Sequence, residues 1–187
     1  MESALSAEII TLGESRVPET EKKITFLKNR QSIELHMIGH LQSNKVKKAL
    51  DLYDVIQTVD SIKLAKKISS LARQKGIIQS IYLQVNSGAD PLKYGFSKNE
   101  TILASLEIAQ MSNLKIEGIM MIPPYIKMDS GYRSIYSQTR ELRDQIVAEG
   151  ILSCTNLSMG MSRDFELAIE EGATHVRIGT ALFGTRR

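Results

Sequence analysis

The feature that most constrains this chain is its rhythm: short apolar or β-branched runs alternate with helical stretches from end to end, joined by short connections. Alternation of this kind dictates a parallel sheet, because a return to the same sheet edge needs a crossover that a helix supplies, and the helices then cover the sheet. Strands are predicted at 9–12, closed by Gly13, and at 35–38, 55–59, 78–85, 116–122, 155–158 and 175–178. A helical tail at 4–10 precedes the first of them. A polar helix at 18–29 follows, with Pro18 in its first turn and Ile24 and Leu27 facing inward. Ser43 opens a short helix bearing Val46, Ala49 and Leu50. Asp60 or Ser61 caps a longer one, in which Ile62, Ala65, Ile68 and Leu71 recur at helical spacing as far as Gly76. Ser97-Lys98-Asn99-Glu100 has the form of a capping box, with Ile102, Leu103, Leu106 and Ala109 as the buried stripe behind it. Ile135, Thr139, Leu142 and Ile146 mark a long helix ending at Gly150. Ser162 caps another that runs through Ile169 to Gly172, and Thr180 begins the last.

Seven strands emerge, and the chain starts in what reads as a helix. A (β/α)8 barrel has eight strands and about 250 residues. The expected fold is therefore α/β, a TIM-type barrel with its first strand missing, forming a single domain over 1–187 that is incomplete at its N-terminus. An open doubly wound sheet is the alternative, but the chain holds neither a GxGxxG nor a P-loop to anchor it. With 187 residues there is material for one sizeable core.

Composition narrows the function. The formal net charge is only +3, and Lys and Glu are interleaved, whereas a nucleic-acid groove needs a concentrated basic face. Lys45-Val46-Lys47-Lys48 and the 63–67 segment read as solvated helix faces, so no nucleic-acid partner is expected. The single cysteine, Cys154, excludes an internal disulfide and reads as a small buried hydrophobe. No metal-like Cys/His spacing, membrane span or signal peptide is visible, which points to a cytoplasmic protein.

Two late loops carry the chemistry. Leu157-Ser158-Met159-Gly160-Met161-Ser162 and Arg177-Ile178-Gly179-Thr180 each end an apolar run in small residues and open a helix. Such a pair of helix starts suits an anion, and barrels of this kind often hold phosphate after their last two strands. Gly179 lets a ligand approach the main chain, and Thr180 offers a cap and a hydroxyl. The competing reading is of ordinary turn glycines and caps. Arg177 shares a strand face with His175, opposite Val176 and Ile178, so it points into the barrel if the apolar pair faces the helices. A charge there needs a carboxylate or a ligand. His36 and His40, with Gln42, Asn44 and Lys45, make a polar loop at a strand end, and Met120, Met121, Met159 and Met161 fill core. No catalytic triad is recognisable, and the residues alone lead to a phosphate-binding α/β protein.

Longer motifs add a family. His36-Met37-Ile38-Gly39-His40-Leu41-Gln42-Ser43-Asn44-Lys45, Gly118-Ile119-Met120-Met121-Ile122-Pro123-Pro124, the 157–162 segment and Arg177-Ile178-Gly179-Thr180-Ala181-Leu182-Phe183-Gly184 resemble the pyridoxal-phosphate homeostasis proteins, relatives of the N-terminal barrel of alanine racemase. Asn86-Ser87-Gly88 with Lys93-Tyr94-Gly95-Phe96 resembles the loop after that family's fifth strand. The resemblance spans nearly the whole chain. It implies pyridoxal 5′-phosphate at the C-terminal strand ends, with Ser158, Ser162, Gly179 and Thr180 around the phosphate and Arg177 facing the pyridine nitrogen. An arginine there keeps that nitrogen unprotonated and the ring a weak electron sink. The family is regarded as carrying or buffering the cofactor, with no established turnover reaction and no catalytic residue to assign.

Two departures bear on activity. The family's covalent imine forms on a lysine of its first strand, within an Ala-Val-Ser-Lys-like motif that has no match here. Its Gly-Glu-Asn stands as Gly13-Glu14-Ser15, and Val17-Pro18 replaces valine-glutamine. Binding is accordingly expected to be non-covalent, Lys45 and Lys93 being poor substitutes in polar loops. The chain is expected to be a monomer or a weak homodimer through open sheet edges. Two further readings are an amino-acid racemase-like enzyme, for which no opposed acid and base are evident, and a non-functional truncated fragment.

Overall fold

A computed structural model describes residues 6–26, 30–87 and 93–184. Leu27, positions 4 and 5, and the 88–91 part of the loop after the fourth strand lie outside the described residues. One parallel sheet contains β1 (Thr11–Glu14), β2 (Glu34–Met37), β3 (Val55–Val59), β4 (Gln79–Val85), β5 (Leu114–Met121), β6 (Asn156–Met161) and β7 (His175–Arg177), in chain order. Between and after them come α1 (Val17–Ile24), α2 (Val46–Leu52), α3 (Ile62–Lys75), α4 (Lys98–Ala109), α5 (Asp129–Ala148), α6 (Phe165–Glu170) and α7 (Thr180–Phe183). The strand count and the alternation are those the sequence predicts.

The sheet curls back on itself. In a flat sheet β2 and β7 would stand about 24 Å apart, at about 4.8 Å per neighbour. Instead the rings of His36 in β2 and His175 in β7 lie 5.7 Å apart between centroids. Ser158 Oγ in β6 donates to Gln57 Oε1 in β3 at 2.6 Å. These contacts run through the lumen of a nearly closed TIM-type barrel. Among the described residues β1 and β7 do not pair, so the seam lies between them.

Strand alternation then sorts side chains into two cores. Val55, Tyr82 and Met120 pack together as a small cluster inside the barrel. Leu35, Ile56, Ile81, Ile119 and Leu157 belong to the larger core with the apolar stripes of the helices. The helix signals act as expected in α3, where Ser61 Oγ accepts from Leu64 N and Gly76 closes the helix in the left-handed region at φ +66°. The Ser97–Glu100 capping box is formed in full.

Several boundaries and faces differ from expectation. β1 runs two residues later than 9–12, because pairing with β2 carries on through Gly13 opposite His36 and Glu14 opposite Met37. In α4 the buried stripe is Thr101, Ala104, Ser105 and Ile108, while Leu103 is 71% exposed. Thr101 and Ser105 donate their hydroxyls to carbonyls of their own turn, at 2.7 Å each, so small polar residues can face the sheet and let the helix approach closely. Tyr136, with Thr139, Leu142 and Ile146, forms the buried stripe of α5, and its hydroxyl donates to Asp164 Oδ1 at 2.8 Å. That same oxygen accepts from Met161 N at 2.6 Å; α6 starts after Asp164, whose side chain makes no cap hydrogen bond, and Ser162 does not cap it.

Gly160, in β6, has φ +91°, and a Cβ there would sit 2.6 Å from the Cβ of Ala168 in α6. Backbone strain and overpacking act together at this position. Gly160→Ala is expected to lower stability by about 2–4 kcal/mol, read as a fall in the urea midpoint at unchanged m-value.

Candidate functional site

The C-terminal ends of β6 and β7 bring the two sequence motifs together at one place. Ser162 lies just past β6, and its Oγ accepts from the backbone N–H groups of Gly179 and Ala181, each at 3.3 Å. A single oxygen thus already occupies the spot on which two main-chain donors converge. Gly179 is exposed, and a Cβ built on it meets nothing within 4 Å, so its α-carbon borders open space. Thr180 is exposed as the first residue of the four-residue α7. Gly179 takes the N-cap position there, without a side-chain cap.

Arg177 lies below this cradle on the inner face of β7. Its Nη1 donates to Ser158 Oγ at 2.8 Å and its Nη2 to the Met121 carbonyl at 2.6 Å. Both acceptors are neutral. Among the described residues Arg177 makes no ion pair, and the nearby Asp164 has spent its Oδ1 on Tyr136 and Met161. Burial pushes the guanidinium down to about 10, with Tyr136 and Asp164 working against the fall, so it stays protonated at neutral pH. The sequence argument that an inward arginine needs a carboxylate or a ligand meets a structure in which no carboxylate pairs with it.

Ser158 is placed differently from the other expected cradle residues. It is 1% exposed and is held between Arg177 and Gln57, one position deeper in the lumen than the cradle. The structure therefore brings Ser162, Gly179 and Thr180 together and sets Ser158 beneath Arg177 as a support. His36 is likewise not in a loop. It lies inside β2, 2% exposed, with its ring edge-on to Tyr82 and beside His175. His40 does lie in the loop, stacked on Tyr94 at 3.7 Å with its Nδ1 3.1 Å from Asp60 Oδ2. Lys45 is exposed in the 3-10 turn Ser43–Lys45, and Lys93 Nζ donates to the Pro123 carbonyl at 2.8 Å. Cys154 is buried, and desolvation pushes its thiol up to about 12.

Sequence reasoning missed Gln57, which joins His36 to Ser158. A signal was present: a glutamine in the middle of Val55-Ile56-Gln57-Thr58-Val59, a run otherwise suited to full burial, needs internal partners. Among the described residues no helix is long and apolar enough to cross a membrane. Nor do the described residues contain a group of three or more His, Cys, Asp or Glu side chains able to hold a metal ion.

Comparison with known proteins adds relatives to this geometry. Residues 2–187 match the alanine racemase N-terminal domain family. A pyridoxal phosphate homeostasis protein of Aquifex aeolicus is 41% identical over 175 residues, covering 94% of this chain and 76% of that protein. PipY of Synechococcus elongatus PCC7942, solved with PLP bound, superposes with a TM-score of 0.84 at 33% identity, covering 92% of this chain and 80% of that one. Alanine racemase of Clostridium difficile 630 superposes with a TM-score of 0.81 at 16% identity, over 99% of this chain and 47% of that one, a likeness of fold alone.

The paired histidines make stability depend on pH. Burial lowers both imidazoles below the ordinary 6.5, and His36 lowers His175 further. Unfolding restores the ordinary value, so below it the unfolded chain binds more protons than the folded one, and stability falls as pH drops through 6.5. The melting temperature is expected to decline between about pH 7 and pH 5, above the range where carboxylates titrate. His36→Gln should flatten that decline in the same thermal scans.

Proposed function

Because the chain belongs to the alanine racemase N-terminal domain family and stands among the pyridoxal phosphate homeostasis proteins, we propose that it binds pyridoxal 5′-phosphate and serves as a carrier or buffer of that cofactor. The observation that carries this reading is Arg177, an inward cation whose contacts are neutral and which forms no ion pair among the described residues. Such a group suits the lone pair of an unprotonated ring nitrogen. The cradle above supports the same ligand, since the Gly179 and Ala181 amides converge on one oxygen and the Gly179 α-carbon borders open space. A phosphate oxygen is the natural replacement for the Ser162 hydroxyl on those amides, with Ser162 and Thr180 turning their own hydroxyls to the phosphate.

When bound, the cofactor supplies an aldehyde and an electron-withdrawing ring. The residues of this chain temper that chemistry: Arg177 donates to the nitrogen without protonating it, which weakens the ring as an electron sink and favours holding over turnover. Ser158 anchors the guanidinium from below. In this reading the 187-residue chain grips the cofactor through phosphate and ring contacts without a covalent bond. Lys45 and Lys93 take no part, the first being exposed and the second committed to Pro123.

The test is direct. Purified chain mixed with pyridoxal 5′-phosphate should show a raised melting temperature, the stabilisation reaching about 2.7 kcal/mol at a hundredfold excess over Kd. Borohydride followed by peptide mapping should recover no modified lysine. Arg177→Ala should weaken binding roughly ten- to a hundredfold, the loss of one or two charged hydrogen bonds. The reading fails if neither the cofactor nor inorganic phosphate at saturation moves the melting temperature.

A further inference from the structure

A line of hydrogen bonds crosses the lumen from Arg177, and its direction is set independently at both ends. Arg177 Nη1 donates to Ser158 Oγ at 2.8 Å, and Ser158 Oγ donates to Gln57 Oε1 at 2.6 Å. Gln57 Nε2 lies 2.6 Å from His36 Nδ1. The far nitrogen, His36 Nε2, makes no hydrogen bond among the described residues and faces Glu34 Oε2 at 3.4 Å. Ser158, Gln57 and His36 are 1%, 2% and 2% exposed, so water does not readily stand in for a missing partner.

A guanidinium can only donate, so the Ser158 oxygen accepts from it and the single Ser158 proton is free for Gln57. The Gln57 carbonyl must then face Ser158 and its amino group must face His36, which leaves His36 Nδ1 bare and the ring proton on Nε2. The other end demands the same arrangement. A bare Nε2 would set its lone pair against the Glu34 carboxylate, whereas an Nε2–H presents a positive edge to it. Turning the Gln57 amide over would point two donors at the Ser158 oxygen and leave the Ser158 proton without an acceptor in a buried place.

We infer that Gln57 is the positioning residue of the Arg177 site: acting through Ser158 it holds the guanidinium in place, and it locks His36 as the neutral Nε2–H tautomer. The inference rests on the reading of Arg177 as the partner of a ring nitrogen. It deepens that reading, because specificity for an unprotonated aromatic nitrogen then depends on a residue that never touches the ligand. With Ser158 and Met121 fixing the two terminal nitrogens, the remaining guanidinium donors keep a constant direction toward the ligand.

Two measurements on the ligand-free full chain test the relay. Side-chain nitrogen NMR should show His36 neutral with its proton on Nε2. Gln57→Glu, which offers His36 Nδ1 an acceptor, should move a proton onto that nitrogen. The Arg177 Nη signals should be resolved in the wild type, from slowed rotation, and averaged in Gln57→Leu. A His36 proton found on Nδ1 in the wild type overturns the inference without recourse to any variant, as do Arg177 signals that Gln57→Leu leaves unchanged.

A ligand arm then compares pyridoxal 5′-phosphate with its 1-deaza analogue, which keeps the phosphate and lacks the nitrogen. The wild-type preference for the cofactor should fall by about tenfold in Gln57→Leu and Ser158→Ala and be retained in Ser158→Thr, which keeps the hydroxyl. An equal loss for both ligands would reduce Gln57 to a structural residue and overturn its positioning role. If the wild type binds neither ligand, the proposed function falls, while the tautomer and the Arg177 signals still decide the relay.

Discussion

The structure depends on how one partly buried, inward-facing cation is accommodated. Taking a guanidinium out of water is expensive, and proteins usually offset the loss with a carboxylate in contact. Among the described residues Arg177 donates only to the hydroxyl of Ser158 and the carbonyl of Met121. Neutral acceptors recover part of the lost solvation, and burial lowers the guanidinium's pKa while Tyr136 and Asp164 work against the fall. A cation so held keeps its donors available for a ligand that carries a lone pair. The polar line through the lumen, with Gln57 and His36 in place of the usual branched aliphatics, supports the Ser158 acceptor and satisfies it in turn.

The barrel makes this possible by geometry. A parallel sheet that curls brings strands distant in sequence onto one inner surface, and side-chain alternation decides which residues meet there. In β2 to β4 and β6 to β7 the inner positions carry His36, Gln57, Tyr82, Ser158, His175 and Arg177, while Leu35, Ile56, Ile81, Leu83, Leu157 and Met159 pack outward with the helices. The outer layer supplies the burial that drives folding. The inner layer can then afford polar groups, provided each finds a partner. Above it, the main chain at Gly179 and Ala181 converges on a single oxygen, that of Ser162, so these amides and Arg177 are stacked along one pair of strands.

Much of this was legible along the chain, and the misreadings have local causes. The strand 55–59, the Ser97 cap and the Gly76 stop stand where the sequence predicts them, and of Asp60 and Ser61 it is Ser61 that caps, because each depends on residues a few positions apart. The inward aim of Arg177 followed from its spacing to His175. Of the α4 stripe that the sequence predicts, Ile102 and Leu106 pack against the core, while Leu103 and Ala109 are exposed because hydroxyls that bond within their own turn allow Thr101 and Ser105 to be buried. The sequence predicts Ser162 as a helix cap, whereas Asp164 takes the N-cap position without a side-chain cap and Ser162 turns to the amides of the next loop. The family resemblance sets Ser158 around the phosphate, and in the structure its side chain lies in the lumen between Arg177 and Gln57.

What the sequence by itself determined is the alternation of strands and helices, the number of strands among the described residues, and the two late small-residue motifs that close the last strands, since period and turn chemistry are local properties. Only the tertiary structure decided which polar residues face one another inside the barrel. Gln57 and Ser158 are separated by 101 residues and meet because the sheet curls, and nothing in either neighbourhood specifies the other. Closure of the sheet converts a glutamine in an apolar run, a buried histidine and a motif serine into one hydrogen-bonded support for Arg177. That conversion is physical in origin: hydrogen bonds act over about 3 Å, so their partners are fixed by the folded path of the chain and by no pattern along it.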